Sequence, residues 1–210
     1  MVNNMRTLAI PFASCFLASF IVIPTQAGVE VVASKSLTVQ PNGPRPGDGG
    51  SKYFNIEGKD NEKYASFGVL IFQIPKEVLE KRVKSVTLTL VQSLPKFAKD
   101  GMIRFFLEPD LDPKPDLKFD PNAADGVGSQ IKPVHPLGSG NFKQVKTGEI
   151  EQFTLTLDDS CRKRLAKEGS LCLVIVPADA TVAATYYGAG EDSNGNRPRL
   201  TIALEAESQP

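Results

Sequence analysis

Ser66-Phe-Gly-Val-Leu-Ile-Phe-Gln-Ile-Pro75, Lys76-Glu-Val-Leu-Glu-Lys-Arg82 and Val83-Lys-Ser-Val-Thr-Leu-Thr-Leu-Val-Gln92 follow one another without interruption, and their reading decides the fold class. The first segment is apolar on both faces of an extended chain. Phe67, Val69 and Ile71 fall on one side and Leu70, Phe72 and Ile74 on the other, the pattern of a central strand covered twice. The second is a short Pro-initiated helical turn. In the third, Val86, Leu88 and Leu90 alternate with Thr87 and Thr89, as in a strand with one wet face. Two strands separated only by such a turn point to antiparallel β architecture and away from a nucleotide-binding α/β fold.

The pattern extends in both directions. Val29 to Val32, Ser36 to Gln40 and Lys52 to Ile56 read as strands on the N-terminal side, broken by the turn-rich 41–50 and 58–63. Met102 to Leu107 continues the series. From Glu108 to about 149 the chain is rich in Pro, Asp, Gly and Asn with little periodicity, and it reads as one long loop. Phe153, Leu155 and Leu157 then alternate with Thr154 and Thr156. Asp158 or Asp159 caps a short helix ending near Gly169. Leu171 to Val176, Thr185 to Gly188 and Leu200 to Leu204 supply closing strands. The expected fold is all-β: an antiparallel two-sheet β-sandwich, jelly-roll-like, with one or two short helices.

The first 27 residues carry one basic residue, Arg6, and an apolar run from Leu8 to Pro24 that ends at Thr25-Gln26-Ala27. This is the pattern of a secretory signal peptide, so 28–210 is expected to be a single exported domain, extracellular or periplasmic. Of the 24 basic residues only Arg6 lies in this leader, and none of the 24 acidic residues does. A nearly neutral mature chain has no long-range field for nucleic acid, and it contains no second apolar run of membrane-spanning length. Cys161 and Cys172 remain after the leader. In an oxidising compartment an even pair favours a disulfide, here one pinning helix to strand and adding about 3 kcal/mol; two separate buried thiols are the alternative.

Phe67 to Pro75 before Val83 to Leu90, then Phe153-Thr-Leu-Thr-Leu157, then Asn196-Arg-Pro-Arg-Leu-Thr-Ile-Ala-Leu204 resemble the secreted DNRLRE-type domain and related carbohydrate-binding-module-like β-sandwiches. The order of these landmarks matches over most of the mature chain. The resemblance implies a secreted sandwich of the carbohydrate-binding kind. Gln73 stands where that family usually carries Asp, and the chain has no Trp.

The chemistry available is limited. His135, the only His, lies between Pro133 and Pro136 in the long loop and reads as a solvated loop residue, since one His cannot build a multi-His metal site. Neither cysteine is marked as an activated nucleophile. Asp110, Asp112, Asp116, Asp120 and Asp125 in the long loop, with Asp60 and Glu62 in a turn, could supply a glycosidase-type carboxylate pair; an acidic solvated loop is the plainer reading. Asp192, Asn194 and Asn196 alternate oxygen donors as a structural Ca2+ loop would, and equally suit a polar turn before the last strand. Tyr53, Tyr186 and Tyr187 are the expected aromatic platforms for a sugar face, because neighbours on a strand point to opposite sides. The function expected is non-catalytic binding of an extracellular glycan or matrix component. A structural or adhesive protein without a small ligand is the alternative, and a polysaccharide-active enzyme the more distant one.

Overall fold

The computed structural model describes residues 28–45, 52–79, 81–93, 95–108, 117–122, 135–165, 169–190, 193 and 195–205. Residues 1–27, expected to be a leader, most of 108–134, Asp192 and Asn194 lie outside the described residues. The strands are β1 (Val29–Gln40), β2 (Gly43–Pro44), β3 (Tyr53–Glu57), β4 (Phe67–Gln73), β5 (Val83–Val91), β6 (Gly101–Leu107), β7 (His135–Phe142), β8 (Ile150–Leu155), β9 (Ser170–Pro177), β10 (Ala183–Tyr187) and β11 (Arg199–Leu204). The α-helix α1 (Asp159–Leu165) joins β8 to β9. Every pairing between these strands is antiparallel. Among the described residues no helix is long and apolar enough to cross a membrane.

The large sheet runs in the order β7-β6-β9-β4-β1-β11-β5-β8, with β2 attached to β1. β1 is a single strand where the sequence suggested two. Its first part pairs with β11 (Val31 opposite Leu200), and its second with β4 (Leu37 opposite Val69). An irregularity between Ala33 and Lys35 marks the change of partner, the kind of bulge that bends a strand and sharpens its twist. This bend curls the sheet until its two edges meet. Thr156 N donates to Leu137 O at 2.8 Å, just beyond the β8 end of the sheet, and Gly140 on β7 lies so close to Phe153 on β8 that an added Cβ would sit 2.3 Å from the ring. The large sheet is therefore barrel-like and nearly closed, its nine strands joined in one hydrogen-bonded sheet.

β4 is central and covered twice, as its residues dictate. Leu70, Phe72 and Ile74 enter the main core with Leu88, Leu90, Phe105, Leu173 and Ile202, while Phe67 and Val69 enter a second cluster with Phe106, Phe119, Val174 and Val176. β5 buries Val86, Leu88 and Leu90 completely. Asp158 caps α1, its Oδ1 accepting the Cys161 N–H at 2.7 Å. That bond satisfies one of the donors a helix start leaves open, and α1 then buries Cys161 and Leu165.

Two expectations change here. The segment expected to be one long loop from Glu108 to about 149 contains a strand, because β7 occupies 135–142 and completes the sheet. Its signal is hidden by Pro136, Gly138 and Gly140, and only Leu137 and Phe142 supply large buried side chains; a register shift between Phe105 and Phe106 on β6 further breaks the alternation. Second, β10 leaves the large sheet and pairs with β3 as a separate two-stranded ribbon, Tyr186 opposite Phe54 and Thr185 opposite Asn55. Phe54, Ile56, Ala184 and Tyr186 all belong to the main core. The ribbon thus has an inner apolar face seated on the barrel and an outer face left over.

Candidate functional site

The outer face follows from strand alternation. With Phe54, Ile56, Ala184 and Tyr186 turned inward, Tyr53, Asn55, Glu57, Thr185 and Tyr187 share the opposite side. Along it, the register places Tyr53 opposite Tyr187, then Asn55 opposite Thr185, then Glu57 opposite Ala183. Successive pairs on one face are about 7 Å apart along the strand.

A concavity of about 340 Å³ lies on this face, lined by Arg45, Asn55, Glu57, Tyr64, Phe97 and Thr185. A second of about 390 Å³ adjoins it and shares Glu57, Tyr64 and Phe97, adding Asp60, Asn61, Lys96 and Lys99 among its walls. The two rings between them are unusually open: Tyr64 is 52% exposed and Phe97 77%. Both rings thus stand largely in water beside a polar floor.

Both rings are held by short segments tied to the ribbon. Tyr64 ends the 3₁₀ stretch Lys59–Tyr64, which is fastened by Gly58 N to Val182 O (2.8 Å), Asp60 N to Ala180 O (2.9 Å) and Asn61 Nδ2 to Val182 O (3.0 Å). Gly58 is required at this approach, because a Cβ there would lie 2.3 Å from the carbonyl oxygens of Asp179 and Ala180. Glu62 adopts φ +51°, ψ −116°, a backbone region costly for a residue with a side chain. Phe97 ends the turn Pro95–Phe97, and two residues later Lys99 exchanges both backbone hydrogen bonds with Ala183 (3.0 and 3.1 Å).

The floor is polar and only partly satisfied. Asn55 Nδ2 donates to Glu57 Oε1 at 2.9 Å, while Asn55 Oδ1 is buried without a protein partner. A buried carbonyl oxygen left open in this way is costly unless a ligand or water donates to it. Burial raises the Glu57 carboxyl above its ordinary 4.5, against the lowering effects of the Asn55 amide, Arg45 and Lys99. A carboxyl whose folded value is raised binds its proton more tightly in the folded state. Stability then falls as pH rises from below 4.5 through the folded value, and levels off above it. Urea unfolding of wild type and Glu57→Gln across this range should show wild type losing stability relative to the variant as pH rises; a difference constant with pH would contradict the desolvated setting of Glu57.

Of the residues singled out in the sequence, Tyr53 and Tyr187 lie on this face, half-buried, their ring centres 5.6 Å apart at 47°, with Lys52 Nζ 5.6 Å from the Tyr53 ring centre. Tyr186 does not. It is fully buried and packs on Phe54 and Phe142, because the register with β3 turns it inward. Asn196 sits in a turn, its N–H donating to Ser193 O at 2.8 Å; the other two members of the calcium triad lie outside the described residues.

Cys161 and Cys172 are free and buried, so the expected bridge is not formed. Cys161 belongs to the main core and Cys172 to the second cluster on the other side of the sheet. Burial, with Asp158 nearby, pushes the Cys161 thiol up to about 11, and burial with Glu108 nearby pushes Cys172 up to about 12. His135 begins β7 and lies beside α1, with Nδ1 3.3 Å from Ser160 Oγ, rather than in an open loop.

Arg45, Asn55, Glu57, Tyr64 and Phe97 were missed by the sequence reading. The period-2 set Tyr53, Asn55, Glu57 was available once β3 was recognised, and Phe97 between Lys96 and Lys99 is an aromatic with no apolar periodicity to bury it. No family model matches the chain, and no curated protein matches it.

Proposed function

We propose that the protein is a secreted, non-catalytic glycan-binding β protein whose binding face is the outer side of the β3–β10 ribbon. The observation that carries this reading is the open pair Tyr64 and Phe97 beside Asn55, whose Oδ1 has no protein partner. Ring faces bury the apolar C–H face of a sugar, and the planar Asn55 amide, Glu57 and Arg45 accept from and donate to its hydroxyls. The Tyr53–Tyr187 pair extends the strip along the same face, which suits several sugar units in a chain. Export rests on the leader 1–27, and the resemblance to carbohydrate-binding-module-like sandwiches points the same way. The bend in β1 and the core filled from both halves of the sheet support reading the barrel as a flattened, jelly-roll-like sandwich.

A glycan array followed by titration calorimetry tests the proposal. Phe97→Ala should weaken the best glycan about tenfold, the loss of roughly 1.4 kcal/mol of ring contact, with an unchanged melting temperature because the ring is largely exposed. Binding that is absent, or indifferent to Phe97→Ala and Asn55→Ala together, removes the assignment. Release of reducing sugar from a polysaccharide panel is expected to stay at the buffer level.

A further inference from the structure

A second cluster lies away from the ribbon. One ligand atom each from His135, Asp158 and Cys161 falls within 4.8 Å of the other two. The three residues come from two separate places in the chain: His135 opens β7, whereas Asp158 and Cys161 flank the start of α1. We propose that this nitrogen, oxygen and sulfur triad is a zinc-class metal site, with Ser160 as its supporting hydroxyl.

The donor types and their spacing carry the assignment. Imidazole, carboxylate and thiolate are the three side chains that zinc takes, with bonds of about 2.0–2.3 Å. Around a tetrahedral ion such bonds hold neighbouring donors roughly 3.3–3.8 Å apart, so a triad no wider than 4.8 Å closes on an ion by side-chain movements of about an ångström. A sulfur donor disfavours Ca2+ or Mg2+, which take oxygen.

The surroundings suit the same role. Asp158 Oδ1 accepts the Cys161 N–H at 2.7 Å, and its carboxylate also takes the Cys161 thiol proton in a hydrogen bond, the proton that an ion would replace. With Nε2 as the ligand, Ser160 Oγ, 3.3 Å from His135 Nδ1, steadies the imidazole through its other nitrogen, as outer partners do for metal-bound histidines. Cys161 is buried, His135 half-buried and Asp158 exposed, so the triad has an apolar floor and an entry from solvent. Three protein ligands leave a fourth position for water or an incoming group.

The test uses the mature chain with any purification tag removed, since His135 is the only His. Zn2+ titrated calorimetrically should bind one ion per chain and raise the melting temperature. Co2+ should give a visible tetrahedral spectrum together with a near-ultraviolet thiolate-to-metal band. Cys161→Ser should remove that band and Cys172→Ser should keep it. His135→Gln and Asp158→Asn should each weaken Zn2+ at least tenfold, and Ser160→Ala about tenfold. His135→Gln touches a half-buried side chain at a strand end, so it stays informative if Cys161→Ser fails to fold. A folded wild type that shows no thiolate band with Co2+, or a His135→Gln variant that binds Zn2+ as tightly as wild type, overturns the proposal.

Discussion

Replacing Glu151 by Ala should lower the unfolding free energy by about 3 kcal/mol, although Glu151 lies on the edge strand β8 and is only half-buried. The cost arises in what it accepts. Tyr186 Oη donates to Glu151 Oε2 at 2.5 Å, Gln92 Nε2 to Oε1 at 3.1 Å and Lys143 N to Oε1 at 3.3 Å. Gln92, itself buried, also donates to Lys143 O and accepts from Val145 N. One carboxylate thus ties the ribbon, the end of β5, the β8 edge and the segment after β7 together. Burial raises its proton affinity, against the lowering effect of the Tyr186 hydroxyl, and burial followed by the Glu151 charge raises that of Tyr186.

Truncation leaves the Tyr186 hydroxyl fully buried among Phe54 and Phe142 with no acceptor. Glu151→Gln keeps an acceptor oxygen and should cost about 1 kcal/mol or less. The decisive comparison is Glu151→Ala with and without Tyr186→Phe, measured by urea unfolding. If the orphaned hydroxyl dominates, the double variant is more stable than Glu151→Ala alone. A Glu151→Ala loss below about 1 kcal/mol would mean that water replaces the carboxylate freely.

Phe54→Ala should cost about 4 kcal/mol, in the middle of the range for deleting a buried ring. Phe54 has no exposed surface, stacks on Tyr186 at 5.6 Å and 30°, and lies over Gly68 of β4. A Cβ at 68 would meet the Phe54 ring at 2.8 Å and Ile56 at 3.3 Å, so the ribbon is seated on the sheet by a ring-on-glycine contact. Removing the ring opens a cavity that Gly68 has no side chain to fill. In wild type Gly68→Ala should destabilise through that overlap. Combined with Phe54→Ala, the added methyl enters vacated space and should recover part of the loss, giving a favourable coupling between the two positions. Additive losses would show that the ribbon does not rest on this contact.

Legibility in the sequence followed the range of the interaction involved. The two apolar faces of β4 and the single one of β5 were readable because strand alternation is written in neighbouring residues. The cap of α1 was readable for the same reason: Asp158 meets an amide three residues away. β7 was not, since two glycines and a proline in eight residues leave no pattern, and its place is given by pairing with β6 and by the close approach of Gly140 to Phe153. The tyrosine pair is the intermediate case. Alternation alone required that Tyr186 and Tyr187 face opposite ways, but only the pairing with β3 decided which one is buried.

By itself, then, the sequence determined an antiparallel β protein with a doubly covered central strand and a short capped helix, because polarity alternation and capping act over one to four residues. Only the tertiary structure decided that the sheet curls until β7 meets β8, that Cys161 and Cys172 lie on opposite sides of it, that Phe97 and Tyr64 line one concavity with Asn55 and Glu57, and that His135 approaches Asp158 and Cys161. These juxtapositions join residues far apart in the chain. They are fixed by sheet register, by the bend at Ala33–Lys35 and by which surfaces must be buried together, none of which leaves a local mark on the residues concerned.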